Sequence, residues 1–346
     1  MQRGPSPCPP QRTLIVSTSY PEYPGDPAGH FVESEVRTRL ERGERISLIV
    51  PRGVKPRPQL AGLELFEIAA ADAFGAPGVL TRLAEPGRRK RARRLLGIAG
   101  FIARARVTAA RLKRRDGAFD LAQAHWLVPS VYPALPRGIA RELEVVAHGS
   151  DVELLRRAPR ALARGLLRRA DQRASQVRLR VVSSALLRGL HDIAPRGWLQ
   201  SAQVQPCAVE LTGVVAREAA REQLGVEGEM WLVVGRLIPS KRVEVALHAA
   251  ELMRRARPLR VVVIGDGPQR ARLQQLFPRV EFLGPLKRDV CLRWIAAADG
   301  LLSGSRSEGA PTVVREARAL GVRVVCCDAG DLMRWAATDP GIRVVA

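Results

Sequence analysis

The chain has 346 residues, 46% of them hydrophobic, a globular composition with enough length for two domains. Its formal net charge is +22, and no apolar run is long enough to cross a bilayer. The opening MQRGPSPCPPQR lacks the apolar stretch of a secretory leader, so the expected location is cytoplasmic.

The first half begins with TLIVSTSYP (13–21), a predicted strand running into the Gly/Pro-rich loop YPEYPGDPAG. Gly29 in that loop lets the backbone meet a ligand closely. HFVESEVRTRLERG follows as an amphipathic helix stopped by Gly43. RISLIVPR, LELFEIA, FDLAQAHW, LEVVAHGSD and VRLRVVSS read as strands. The AHGSD turn puts His148 and Asp151 at the carboxyl edge of its strand. Residues 81–115 break the rhythm, with 13 Lys+Arg and a single acid, Glu85. Leu95, Ile98, Ile102 and Ala105 recur there at helical spacing. Such a helix lies on an anionic bilayer, or it packs its stripe on its own domain and solvates its arginines.

The second half alternates more regularly. WLVVGRL is a buried strand, and Ser240 is the expected cap of the helix KRVEVALHAAELMRRA. Then come strand RVVVIGDGP, helix QRARLQQLF, strand RVEFLGP, helix KRDVCLRWIAAA and strand DGLLSGS. A helix from about Pro311 to Leu320, stopped by Gly321, precedes strand VRVVCCDA, helix DLMRWAA and strand GIRVVA. This alternation predicts an α/β protein of two parallel-sheet domains facing a cleft. The domains are expected at 1–196 and 197–346, with a hinge in the Pro/Gly-rich stretch from Ala194 to Gly228.

SRSEGAPTVVREARALG (305–321) carries the most chemistry. Pro311 suits the first helical turn, where its missing N–H costs nothing. Gly309 permits close approach, and the N–H groups near Ala310, Thr312 and Val313 point at an anion on the positive end of the helix dipole. Glu308 repels a phosphate and suits hydroxyls; Glu316, inside the helix, accepts from a diol. Phosphate flanked by hydroxyls describes a nucleotide sugar. Ordinary helix punctuation with solvated glutamates remains the alternative at this point. GRLIPSK (235–241) leaves its strand with Arg236 and Lys241 where a diphosphate would lie.

Together these residues resemble the group 1 glycosyltransferases of the GT-B fold, glycosyltransferase family 4. The resemblance rests on Glu308 and Glu316 with seven residues between them, and on Gly235-Arg236-Leu237 with Lys241. GDGP (265–268), FLG (282–284) and HGSD (148–151) add to it in order. It implies two Rossmann-like domains and a hexosyltransferase acting with retention and without a metal or other cofactor. Arg236 and Lys241 would grip the donor diphosphate, helped by N–H groups of Gly309 to Val313. Glu308 would hold the sugar hydroxyls, Glu316 the ribose, and His148 would face the sugar. The implied partners are a nucleotide-sugar donor and a glycan or lipid-linked acceptor. Apart from the resemblance, the basic first half suits peripheral attachment to the inner membrane face through residues 81–115. Two departures stand out. QPCAVEL (205–211) occupies the place of a PNGVD-like element, and the chain is expected to lack the family's C-terminal crossover helix.

The rival readings are weaker. A dinucleotide oxidoreductase needs a third glycine where GDGPQR has Arg270. An epimerase or phosphorylase of the same fold would keep the phosphate grip and change the reaction. A basic nucleic-acid-binding module fits the charge, but only 4% of residues are aromatic and none interleave with the cations, so nucleic acid is not the expected partner. The cysteines and histidines show no metal-ligand spacing, so no metal is expected.

Overall fold

A computed structural model describes residues 11–23, 25–26, 28–53, 57, 60–70, 73–74, 87–132, 134–211 and 213–345. Cys8 and residues 81–86 of the basic segment, with Glu85, lie outside them. The chain divides into two compact units, Met1–Val182 with Leu186–Gln205, and Ser183–Ala185 with Pro206–Ala346.

In the first unit, seven strands alternate with helices. The strands are β1 (Arg12–Val16), β2 (Arg45–Pro51), β3 (Leu63–Ile68), β4 (Phe119–His125), β5 (Ala140–Ala147), β6 (Ala174–Val181) and the short β7 (Gln203–Val204). The helices are α1 (His30–Glu41), α2 (Arg88–Asp116), α3 (Ser150–Arg157), α4 (Arg160–Asp171), α5 (Ser184–Leu190, whose first two residues fall in the second unit) and α6 (Arg196–Gln200). All strand pairs are parallel, in the order β3-β2-β1-β4-β5-β6-β7. Strand residues alternate faces, so both faces of a central strand must be apolar. In β1, Leu14 and Val16 join the core under α2, while Ile15 joins Val32 and Val36 of α1.

The second unit repeats the plan with β8 (Met230–Val234), β9 (Arg260–Ile264), β10 (Glu281–Gly284), β11 (Gly300–Ser303), β12 (Arg323–Cys327) and β13 (Ile342–Val345). Its helices are α7 (Arg217–Gln223), α8 (Val243–Ala256), α9 (Arg270–Leu276), α10 (Arg288–Ala297), α11 (Thr312–Ala319) and α12 (Leu332–Ala336). The order is β10-β9-β8-β11-β12-β13, again all parallel. Met230 and Leu232 face one core, Trp231 and Val233 the other. Both sheets therefore reverse their winding beside the first strand of the unit, between β1 and β4 and between β8 and β11. In such sheets the carboxyl ends at the reversal form the ligand crevice.

Three local expectations need correction. The first strand ends at Val16, because the Ser17 hydroxyl donates to the Ser19 carbonyl at 2.6 Å and accepts from the Ser19 N–H at 3.1 Å. That local turn replaces the ladder. Ser240 does not cap α8: it lies in the single 3₁₀ turn Pro239–Lys241, and Arg242, with φ 44°, occupies the cap position. In α2 the buried stripe is Gly97, Phe101, Ala105, Ala109 and Leu112. Ile98 and Ile102 flank it, but Leu95 is 51% exposed, so the predicted stripe begins one turn too early.

Candidate functional site

In the second unit the loops that follow β8 and β11 meet at the winding reversal. The Arg306 N–H donates to the Ser240 carbonyl at 3.0 Å. A Cβ on Gly304 would fall 2.4 Å from the Arg242 carbonyl oxygen, so only glycine allows the two backbones this close. That approach brings Lys241 to Glu308, Nζ to Oε1 at 2.5 Å, with side chains 24% and 12% exposed. Arg236 lies on the same loop, within electrostatic reach of Glu308. The GDGP turn backs this loop from behind. A Cβ on Gly265 would lie 1.9 Å from the Gly235 oxygen, and one on Gly267 2.5 Å from the Leu237 oxygen. The Leu237 N–H donates to the Asp266 carbonyl at 2.9 Å. These glycines serve backbone packing, which explains the motif without a dinucleotide.

Helix α11 starts at Thr312, with Pro311 in extended conformation just before it rather than inside the first turn. Val314 and Ala317 are buried and seat the helix. Its first-turn N–H groups, those of Thr312 and Val313 among them, have no carbonyl one turn back to bond. No acidic residue occupies that turn, so the dipole's positive end is uncompensated there. Gly309 and Ala310 form the lead-in. A Cβ on Gly330 would fall 2.6 Å from the Gly309 oxygen, so the next loop supports the lead-in from below.

Glu316 is 5% exposed. Its carboxylate pairs with the Arg288 guanidinium, which also donates to the Glu210 carbonyl at 2.8 Å. Arg315 donates to the Cys207 carbonyl. The 205–211 segment, whose side chains depart from the family pattern, is thus fastened through main-chain carbonyls, contacts that no side-chain replacement there removes.

In the first unit the turn after β5 is organised by Asp151. Its carboxylate accepts from the N–H groups of His148 at 3.2 Å, Gly149 at 2.9 Å, Val152 at 3.0 Å and Leu127 at 2.9 Å. Burial pushes this carboxyl up, and the main-chain donors oppose the shift. The His148 ring then lies 4.8 Å from Phe31, 4.5 Å from Trp126 and 5.2 Å from His125, centroid to centroid. Trp126 has φ 69°, a strained conformation for a bulky residue. Gly29, at φ 74°, precedes α1, and its Cβ would meet the Ser19 carbonyl carbon at 2.6 Å. The glycine loop thereby delivers Phe31 to His148.

Behind His148 runs a chain of hydrogen bonds whose polarity can be deduced. The Gln123 amide nitrogen donates to Glu35 Oε1 at 2.5 Å and to the Glu144 carboxylate. Both carboxylates demand the NH₂ group, so Oε1 of Gln123 faces His125 Nε2 at 3.3 Å and accepts from it. Nδ1 of His125 is then bare and accepts from His148 Nε2–H at 3.0 Å. His148 is accordingly the Nε2–H tautomer, with Nδ1 left as an acceptor. Burial holds His125 down at about 4 and His148 well below the usual histidine value, so both are neutral at pH 7. Burial alone would raise the Glu35 carboxyl, but its charged and hydrogen-bonded neighbours bring it to about 2. With His125 neutral, Arg180 at 2.7 Å and Gln123 are the neighbours that hold Glu35 ionised.

Sequence reasoning thus named Arg236, Lys241, Glu308 and the 309–313 lead-in, which the structure gathers at one sheet edge, and His148, which it places beside Phe31. It missed Gln123, His125 and Arg288. Gln123 and His125 did leave a signal, since polar residues two apart share one face of a central strand. Among the described residues no group of three or more His, Cys, Asp or Glu side chains could hold a metal ion, and no helix is long and apolar enough to cross a membrane.

Residues 228–343 match the family model described as "Glycosyl transferases group 1". A protein named for glycosyl transfer in teichuronic acid biosynthesis, TuaC of Bacillus subtilis (strain 168), is 29% identical over 63% of this chain and 56% of its own length. The chain thus spans about half the length of that curated relative. Among solved structures, sucrose-phosphate synthase from Thermosynechococcus elongatus aligns with TM-score 0.69 at 17% identity, over 97% of this chain and 86% of that one. HepE of Anabaena, in complex with UDP, aligns with TM-score 0.64 at 17% identity over the same shares. The two parallel-sheet units have the GT-B fold, and residues 228–343 match the group 1 glycosyl transferases.

Proposed function

We propose that the chain is a retaining hexosyltransferase that moves a sugar from a nucleotide diphosphate donor to a glycan or lipid-linked acceptor in cell-surface polysaccharide biosynthesis. The observation that carries this is the Lys241–Glu308 pair at the winding reversal, beside the open N-terminus of α11. TuaC's name supports sugar transfer in glycan biosynthesis, and the UDP bound to HepE supports a nucleotide-linked donor.

The residue roles follow from charge. Breaking the anomeric C–O bond leaves negative charge on the departing diphosphate and positive charge on the sugar. Arg236, Lys241 and the N–H groups from Gly309 to Val313, with Pro311 fixing the helix start, stabilise the leaving group as that charge develops. This grip needs no divalent cation. Glu308 takes the sugar hydroxyls and Glu316 the ribose. His148, through its acceptor Nδ1, and the main chain at Gly29 take part in sugar recognition. The acceptor oxygen forms the new bond on the face the diphosphate leaves, and its proton passes to a phosphate oxygen of the leaving group.

Membrane attachment belongs to the same reading. No residue of α2 from Arg88 to Leu96 is buried, and this stretch joins six Lys+Arg to Leu95 and Leu96, the latter 73% exposed. Cations above apolar side chains suit the headgroup layer of an anionic bilayer. Vesicle binding should fall when Arg88 to Arg94 are neutralised; unchanged binding removes this part.

The test of the whole reading is calorimetry with UDP- and GDP-linked sugars. Losing one charged contact to a phosphate costs about 1.5–3 kcal/mol, so Lys241→Ala should bind the donor roughly 10- to 100-fold more weakly. Turnover should survive a chelator. A folded wild type that binds neither donor would overturn the proposal.

A further inference from the structure

The first unit carries a second concentration of positive charge, away from His148. Arg106 of α2, Tyr132, Arg137, Arg169 of α4 and Arg173 line an open cavity of about 700 Å³. Arg137 and Arg173 each come just before a strand, β5 and β6, so the cavity opens near the amino edge of the sheet. His148 follows β5 at the other edge. Eight strand residues separate the two, roughly 25 Å.

Many arginines of this chain pair with carboxylates, as Arg39 does with Glu44 and Arg180 with Glu35. Arg137 donates to the Gln172 side chain at 2.8 Å and Arg169 to the Tyr132 hydroxyl at 2.9 Å. Arg173 lies over the Tyr132 ring, 5.0 Å from its centroid, with Arg169 at 5.7 Å. Among the described residues neither Arg137, Arg169 nor Arg173 is paired with an acid.

Arg173 is the telling member. It is 4% exposed, and its buried Nε–H has no hydrogen-bond acceptor. A buried cationic donor left unmatched is costly, and ring contacts only partly offset it. Burial first, and then the neighbouring cations Arg106, Arg137 and Arg169, push its pKa down. Such a group is completed by an anion with several acceptor oxygens in a fork-shaped array.

We propose that this cavity is a binding site for a phosphate-bearing ligand of at least two negative charges, separate from the donor site, with Arg173 as its buried anchor. The shared chemistry is a phosphate group, from a soluble diphosphate or from a lipid headgroup.

The experiment titrates the full chain with inorganic pyrophosphate, following heat and the Arg173 Nε–H resonance. Arg173→Met and the exposed pair Arg137→Gln/Arg169→Gln are compared with Arg255→Gln/Arg279→Gln, exposed arginines of the second unit whose loss removes as much charge elsewhere. The expected result is a shifted Arg173 signal in the wild type, affinity at least tenfold lower in both cavity variants, and no change in the control. The exposed double variant carries the test if Arg173→Met does not fold. Phosphatidate vesicles repeated with the same variants assign the source. Stronger loss on vesicles than on pyrophosphate indicates a headgroup, and the reverse a soluble ligand. An unmoved Arg173 signal, or equal weakening in the control, would overturn the proposal.

Discussion

Glu316→Ala leaves the Arg288 guanidinium, its side chain 16% exposed, facing an empty place where a 7% exposed carboxylate was. Removing one partner of a buried ion pair costs about 3–5 kcal/mol. Arg288 keeps its bond to the Glu210 carbonyl and some contact with water, so the lower end, about 3 kcal/mol, applies. For a unit of this size that is a fall in Tm of roughly 6–12 °C. Removing both partners should cost less, because no charge is stranded. Arg288→Met/Glu316→Leu forfeits chiefly the Glu210 bond, about 1 kcal/mol. Native-state hydrogen exchange of the β8 and β11 amides reads the second unit by itself, which avoids assuming that both units unfold together. Glu316→Ala within about 0.5 kcal/mol of wild type, or a double variant as unstable as the sum of the singles, would refute the reasoning. The outcome also governs how donor binding is interpreted. Under the proposed function, weaker binding in Glu316→Ala combines a lost ribose contact with an unseated helix. Glu316→Gln keeps the side chain's shape and an acceptor for Arg288, and separates the two.

Three further predictions test the rest of the site. Nitrogen NMR should show His148 as the Nε2–H tautomer at pH 7 in the wild type. His125→Asn, which keeps an acceptor near the Nδ1 position, should preserve that tautomer, and His125→Leu should release it; a wild-type Nδ1–H tautomer would break the deduced chain. Stability should fall as the solution is acidified. Between pH 6.5 and about 4 the unfolded chain binds a proton at residue 125 that the native state does not, so unfolding free energy rises with pH across this window, by roughly 3 kcal/mol. His148 adds in the same direction, and Glu35 extends the trend from about 4.5 down to about 2. Urea midpoints that stay flat from pH 7 to 4.5 would contradict this. Gly265→Ala should destabilise the second unit by about 2 kcal/mol or more, since its Cβ meets the Gly235 oxygen at 1.9 Å and its φ is 134°. An unchanged melting temperature would show that the two loops are not clamped together.

What was legible in the sequence divides along physical lines. Parallel strands buried on both faces must be apolar runs, so WLVV and RVVVI announced β8 and β9 without ambiguity. Positions at strand ends were legible too, because chemistry at a carboxyl edge needs polar residues just where the apolar run stops, as at Arg236 and His148. Cap geometry was not, since Ser240 could cap a helix only if the helix began beside it, and the 3₁₀ turn postpones that start to Val243. Partners distant in sequence were also hidden: Arg288 and Glu316 are 28 residues apart, and no local pattern joins them. His125 is the instructive case. A histidine with no exposed surface in the middle strand of a sheet would ordinarily be excluded from function, and within FDLAQAHW it looks like one more strand residue. Its burial is what makes it useful. Buried, it stays neutral; neutral, it can accept only at the nitrogen that Gln123 leaves bare. That single constraint reaches the surface as the tautomer of His148. The tautomer of His148 is therefore specified by a residue with no exposed surface, through two carboxylates, Glu35 and Glu144, contributed by α1 and β5.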